Sequence, residues 1–382
     1  MKSWFVIAAV MCLLFAGINQ AQTADVTNRL NEALSRASTY EYGASREALT
    51  DINDIVQKVL NTPALQKPVE RQFLTFLQSD ATLAGKQFIC RKLSLVGSKA
   101  SVPILSRMLQ QKETFDMALF AMARIPGTNV DKVLRQMIMK MKGEKQIGIV
   151  STLGERKDAK SIKVLGKLIY GDPEIADASL SALGNIGGQE AIAVLSEAIE
   201  SLSGQRRDAA MNAYMRCADQ LVKDGHISQA KAVYQKFMIP DAIRTSALTG
   251  LIQAEPDKSD EIILTVLQGG DSKIKSVAIR HLSRLPKVDF LDKIADQLPK
   301  LDSIHQIQLL AALAERGDRS ILPAVVNAAK SDNREVRLAA IEALGVLGDA
   351  STVDILVQYA ADQGDERETA RHRLQFIRSG PH

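Results

Sequence analysis

Apolar residues recur along most of this chain at steps of three and four, without the strict alternation of a half-buried strand. That spacing places them on one face of a helix and predicts an almost wholly helical protein. The clearest stretch is Ser320 to Ser351, SILPAVVNAAKSDNREVRLAAIEALGVLGDAS. Leu322, Val325 and Ala329 mark one face of a first short helix, and Val336, Ala340, Ile341, Leu344 and Leu347 mark one face of a second. Asp332 and Asn333 break the run between them. Gly348 is expected to close the second helix in the left-handed conformation, with Asp349 opening the next turn. A helical pair this short cannot bury its apolar face alone and needs similar pairs to pack against.

The chain supplies them. Stepping back from Leu344 gives Leu313, Leu282, Leu251, Tyr214, Leu183, Leu153, Ala123 and Leu93, and stepping forward gives Leu374; each step is 30 or 31 residues except the 37 from Tyr214 to Leu251. Three residues before the anchors runs a core column: Cys90, Phe120, Val150, Leu180, Met211, Leu248, Ile279, Leu310 and Ile341. Sixteen residues after them runs another, in the first helix of the following pair: Leu109, Met139, Ile169, Ile199, Leu267, Leu298, Ala329 and Ala360. Helix-ending residues stand four past the anchors, among them Gly97, Gly127, Gly187, Pro286, Gly317 and Gly348.

Ahead of the array, residues 22–78 read as a helical N-terminal cap covering the first unpaired face, with Leu49, Ile52, Ile55, Val56 and Leu60 on one side of its second helix. The array occupies residues 79–382. The long step is filled by ADQLVKDGHISQAKAVYQKF, within residues 218–238. Its Ala218, Leu221, Gly225, Ala230 and Tyr234 fit either a lengthened pair or one tetratricopeptide-like hairpin.

The segment before the cap has a different character. Lys2 precedes the apolar run Trp4 to Gly17, then small and polar residues, the layout of a secretory signal cleaved after Ala21. The run is short for a membrane span, although retention of residues 4 to 18 as an anchor is the alternative. The expectation is a periplasmic or secreted protein with no stable membrane insertion once the signal is removed. Losing Lys2 takes the formal net charge from +4 to about +3, and only 4% of residues are aromatic, which argues against nucleic acid as a partner.

The repeated pattern resembles HEAT repeats, particularly the short bacterial kind related to those of phycobilisome lyases. The match is clearest at 320–350, around Leu183 and Leu282, and in Leu83 to Leu109. Pro103 and Pro323 fall in first helices, where HEAT units often carry a kinking proline. Lys86, Arg207, Arg244, Lys275, Arg337 and Arg367, seven residues before their anchors, match the family's basic position. Its acidic partner column is patchy, represented by Asp80, Asp172, Asp271 and Asp332. The resemblance implies an all-α, armadillo-like α-solenoid, a right-handed superhelix of about ten antiparallel pairs whose second helices line the concave side.

Chemistry for catalysis is hard to locate. Cys90 and Cys217 fall in core columns and should be buried, inert and unlinked. No two of His226, His281, His305, His372 and His382 share a metal-site spacing, and no nucleophile motif, phosphate loop or dinucleotide fingerprint occurs. We therefore expect no metal, no cofactor, no small-molecule substrate and no enzymatic activity. The expected function is an exported scaffold binding a protein or peptide along an extended groove, with Arg207, Arg244, Lys275, Arg280, Arg284 and Arg337 near it. The alternatives are a lyase- or glycosylase-like enzyme on the same repeats, and a scaffold held by an uncleaved anchor. The densest run of one sign, Lys140, Lys142, Lys145, Lys157, Lys160, Lys163 and Lys167, reads as a solvated face.

Overall fold

The computed structural model describes residues 23–236, 244–285, 288–361, 364 and 366–375. The expected signal segment, Cys12, Pro286 and His382 lie outside the described residues. Every regular element among those described is helical. The chain is an α-solenoid of stacked helical pairs, in two compact units. One runs to Ile186 and includes 193–198; the other comprises 187–192 and the chain from Ile199 onward.

The first unit opens with the cap: helices 23–37, Glu47–Asn61 and Gln66–Leu77. Leu49, Ile52, Ile55 and Val56 are buried as the periodicity predicts, but Leu60 is 49% exposed. The buried stripe centres on Ile52 and Val59, which leaves Leu60 at its flank, one residue before the helix ends. Second helices Leu83–Val96, Phe115–Arg124, Gly143–Glu155 and Pro173–Ile186 then pack side by side. First helices Val102–Met108, Thr128–Met137 and Ile162–Leu168 alternate with them. Gly154 allows the closest of these approaches: a Cβ there would stand 2.7 Å from Ala182 Cα, inside any real contact.

Leu93, Leu153 and Leu183 are fully buried, yet Ala123 is only half-buried, Phe120 is 40% exposed and Met139 is 67% exposed. All three misplacements have one cause. Met122, Leu119 and Ile138 are the buried residues there, each one position earlier, so the anchor of this pair is Met122. Two arginines confirm the shift. Arg156 Nη1 donates to the carbonyls of Met122 and Ile125, 34 and 31 residues back. Arg316 Nη1 donates to those of Leu282 and Leu285 at the same two offsets. Each guanidinium satisfies carbonyls left open at the end of the preceding second helix. Met122 thus occupies the place of Leu282.

In the second unit the second helices are Gly204–Lys223, Arg244–Ala254, Ser272–Leu282, Ser303–Arg316, Arg334–Leu347 and Glu366–Leu374. The first helices are Ile227–Lys236, Ser259–Gln268, Leu291–Ala295, Leu322–Ala328 and Val353–Ala361. One continuous core runs from Leu248 to Ala370 and includes Leu282, Leu313 and Leu344, all fully buried; Leu374 is half-buried at its edge. The long step is absorbed by Gly204–Lys223, which at 20 residues outruns the 14 of Arg334–Leu347 and carries Ala218 and Leu221 into the interior. Gly225 turns the chain at φ +80°, and Ala230 and Tyr234 bury on the return.

Short polar residues begin the second helices. Thr82, Asp271, Asp302 and Asn333 each accept a backbone N–H of the first turn at 2.9–3.2 Å. Asp172 does the same at 3.1 Å. Two of the four acidic-column residues, Asp172 and Asp271, are thus helix caps; where the column reads Asp80 and Asp332 the caps are the nearby Thr82 and Asn333. Two expectations about helix ends need correcting. Gly348 is extended, at φ −63° and ψ 157°, because its N–H turns back to the Leu344 carbonyl; any Cβ would collide with that oxygen and the Thr352 hydroxyl. Gly317 does take the left-handed form, at φ 71°. Pro103 and Pro323 stand in the first turn of their helices, where a missing N–H costs nothing, so they start helices instead of kinking them.

Candidate functional site

The second helices do more than close the core. On Ser272–Leu282 the residues Ile274, Ala278, Ile279 and Leu282 face inward. Val277, Arg280, His281 and Arg284, again three to four apart, form an adjoining stripe. On Arg244–Ala254 the corresponding stripe is Thr245, Ser246, Thr249 and Gln253, and on Gly204–Lys223 it is Met215 and Asp219. These stripes line an open cleft of about 510 Å³ across three successive second helices of the second unit. A smaller depression of about 290 Å³ adjoins it over Ser303–Arg316, lined by Gln308, Ala312 and Glu315, and Arg280 borders both.

The cleft floor is polar and ordered. Thr249 Oγ1 donates to the Thr245 carbonyl at 3.0 Å, which leaves its lone pairs toward His281 Nε2, 3.3 Å away. Asp219 accepts the Tyr234 hydroxyl at 2.6 Å. Burial and that carboxylate together raise the phenol well above its usual range. Tyr234 lies behind Gly250 so closely that a Cβ on Gly250 would overlap the ring. Burial lowers the His281 ring below its usual value, and the Arg284 and Arg280 guanidiniums lower it further. Arg280 and Arg284 are exposed, and neither guanidinium has an ion pair or hydrogen bond among the described residues.

The other four candidate cations lie elsewhere. Arg244 Nη1 pairs with Asp271, the cap of the next second helix. Arg337 donates to Glu366 Oε1 from Nη2 at 2.8 Å and from Nε at 3.1 Å, and its Nη1 reaches the Ser331 and Asp332 carbonyls. Lys275 helps hold the Asp302 carboxyl below its usual range, behind the larger effect of the His305 backbone N–H. Arg207 is half-buried near the start of Gly204–Lys223. Arg244 and Arg337 are thus inter-repeat ties, and only Arg280 and Arg284 of the six meet in the cleft. The hydroxyls of Thr245, Ser246 and Thr249 went unread in the sequence, though they share one helical face in RTSALTGLIQA.

The remaining groups of interest sit in the scaffold. His305 is buried, with Nδ1 2.7 Å from Asp302 and Nε2 2.9 Å from the Ser272 carbonyl, bridging successive second helices. Cys90 and Cys217 are free and fully buried, and desolvation pushes each thiol up to about 12. Such thiols are poor nucleophiles. Among the described residues no three His, Cys, Asp or Glu side chains converge as a metal site, and no helix is long and apolar enough to cross a membrane. Of the lysine run, Lys140, Lys142, Lys157, Lys160, Lys163 and Lys167 are exposed, while Lys145 lies 5.0 Å from the centre of the Phe115 ring.

Comparison with known proteins identifies HEAT repeats at residues 130–214 and 291–375. No curated protein matches the chain. Among solved structures, Kap121p bound to Nup53p is similar over 92% of this chain and 49% of its own, at 13% identity and a TM-score of 0.47. Importin beta is similar over 90% of this chain and 60% of its own, at 13% identity and a TM-score of 0.40. Human deoxyhypusine hydroxylase in complex with glycerol follows at 17% identity and 0.31, over 73% of this chain and 96% of its own. The chain spans about half the length of the Kap121p that it matches.

Proposed function

We propose that this HEAT-repeat chain is an exported, non-catalytic scaffold that binds a protein or peptide segment along its second helices. One observation carries the reading. The cleft is open, crosses three consecutive helices, and presents two arginines without partners among the described residues, whereas Arg244 and Arg337 are tied between repeats. A surface of that kind suits a chain laid across several repeats. Export rests on the basic residue, apolar run and small-residue site before Gln22.

A photo-crosslinking amino acid at Gln253, on the cleft, and at Glu261, on a neighbouring first helix, tests the binding face. The expected result is a protein adduct from Gln253 alone; equal adducts from both positions, or none at Gln253, would overturn it. N-terminal sequencing tests export. A start at Gln22 agrees with the proposal, and retention of residues 4 to 18 would replace the free scaffold with an anchored one.

A further inference from the structure

We infer that the cleft over Thr249 and His281 recognises an acidic peptide segment in extended conformation, with carboxylates at alternate positions that pair with Arg280 and Arg284. The inference rests on the scaffold reading and names the chemistry of its partner.

Charge is the first ground. Among the described residues, Arg135 ties to Asp158, Arg156 to Asp131, Arg244 to Asp271 and Arg337 to Glu366, and in the cap the exposed Arg36 pairs with Asp51. Arg280 shares a helix with Lys275 and Arg284 follows just past its end, yet neither reaches a carboxylate among the described residues. Asp219, the acid of the cleft floor, is held by the Tyr234 hydroxyl, and Glu315 lies in the adjoining depression beyond Arg280. The His281 ring between them is lowered first by burial and then by these two guanidiniums. An exposed guanidinium fork beside an open cleft is suited to a carboxylate.

Spacing is the second ground. Arg280 stands in the last turn of Ser272–Leu282 and Arg284 two residues past its end; Ser283 between them keeps helical backbone angles, so the two side chains lie about one turn apart, on the order of 5–6 Å. In an extended peptide, residues i and i+2 project to the same side about 6.6 Å apart. A Glu-X-Glu segment lying along Ser272–Leu282 therefore meets both arginines without bending. Its backbone would face the polar groups of Thr245, Ser246 and Gln253, able to donate to peptide carbonyls or accept from peptide N–H groups. The volume, about 510 Å³, falls in the range that holds a short ligand segment. A nucleic acid strand fits less well, since it needs a longer run of cations and stacking aromatics.

Fluorescence anisotropy of the full chain with a labelled Gly-Ser-Glu-Ala-Glu-Ala-Gly-Ser peptide tests the inference. Binding should weaken as salt rises. Arg280→Gln and Arg284→Gln should each weaken it about three- to tenfold and together about ten- to a hundredfold, as expected for partly exposed charge pairs. Both side chains are exposed, and unchanged circular dichroism would show that the variants fold. Equal binding of a peptide with Gln for both Glu, or unchanged binding by the double variant, overturns the inference. So does tripolyphosphate that saturates the cleft and cannot be displaced by the peptide. Crosslinking from Gln253 in the double variant separates the two readings: an adduct that persists while peptide binding shows no charge dependence leaves the scaffold and removes the acidic partner.

Discussion

Arg156 offers the sharpest test of how the stack is held. Its side chain is 10% exposed, Nε donates to Asp131, and the two terminal nitrogens donate to the carbonyls of Met122, Ala123, Ile125 and Gly127 at 2.7–3.1 Å. Arg156→Met keeps most of the stem volume but leaves the Asp131 carboxylate, 11% exposed, without its cation. Removing one partner of a buried pair costs about 3–5 kcal/mol. The opened carbonyls at the helix end add less, because water can reach a chain terminus. Arg316→Met loses two carbonyl contacts and strands no acid, so about 1.5–3 kcal/mol is expected. A stack of repeats need not unfold in one step, so native-state amide hydrogen exchange, read separately over 115–137 and 272–285, is the appropriate assay. Protection over 115–137 should fall by about two to three orders of magnitude in Arg156→Met, at tenfold per 1.4 kcal/mol. Adding Asp131→Leu should restore part of it by removing the stranded charge. A loss at Arg156 no greater than that at Arg316, or a double variant as weak as the sum of its parts, would refute this account.

Other outcomes follow from the same geometry. Leu282→Ala and Leu344→Ala should each cost about 2–5 kcal/mol in urea melts, whereas Phe120→Ala, at a 40% exposed position, and the exposed Lys273→Ala should stay within about 0.5–1 kcal/mol. Acidification should loosen the second unit. The His305 N–H lowers Asp302 from 3.8, and the Glu366 backbone N–H, then Arg337, lower that acid from 4.5. Their contribution is present above about pH 4–4.5 and disappears as pH falls through the lowered values, so urea midpoints should drop between pH 5 and pH 3. Gly250→Ala should destabilise Ile227–Lys236 by driving a methyl into Tyr234, seen as faster exchange over 227–236. Cys90 and Cys217 should react with a thiol reagent only after denaturation; rapid labelling of the native protein would contradict their burial.

Much of this architecture was legible because a leucine at a helix interface leaves a periodic trace. Leu93, Leu153, Leu183, Leu282, Leu313 and Leu344 recur at nearly constant distance, and all six are fully buried. The trace failed where composition became ambiguous. In FDMALFAMAR both Phe120 and Met122 are apolar, and a fixed step of 30 residues selected the wrong register by one. That slip alone placed Phe120 and Met139 in the core. The site was less legible for a related reason. Arg244, Lys275 and Arg337 share a sequence position, so a column treats them alike, but their roles depend on what stands 27 to 29 residues later at the next helix start: Asp271, Asp302 and Glu366. A cation at that position becomes a structural tie when an acid begins the following helix. Arg280 and Arg284 lie outside the column, and among the described residues neither guanidinium reaches a carboxylate. The same comparison therefore separates the arginines that bind repeats together from two that make no such tie among the described residues.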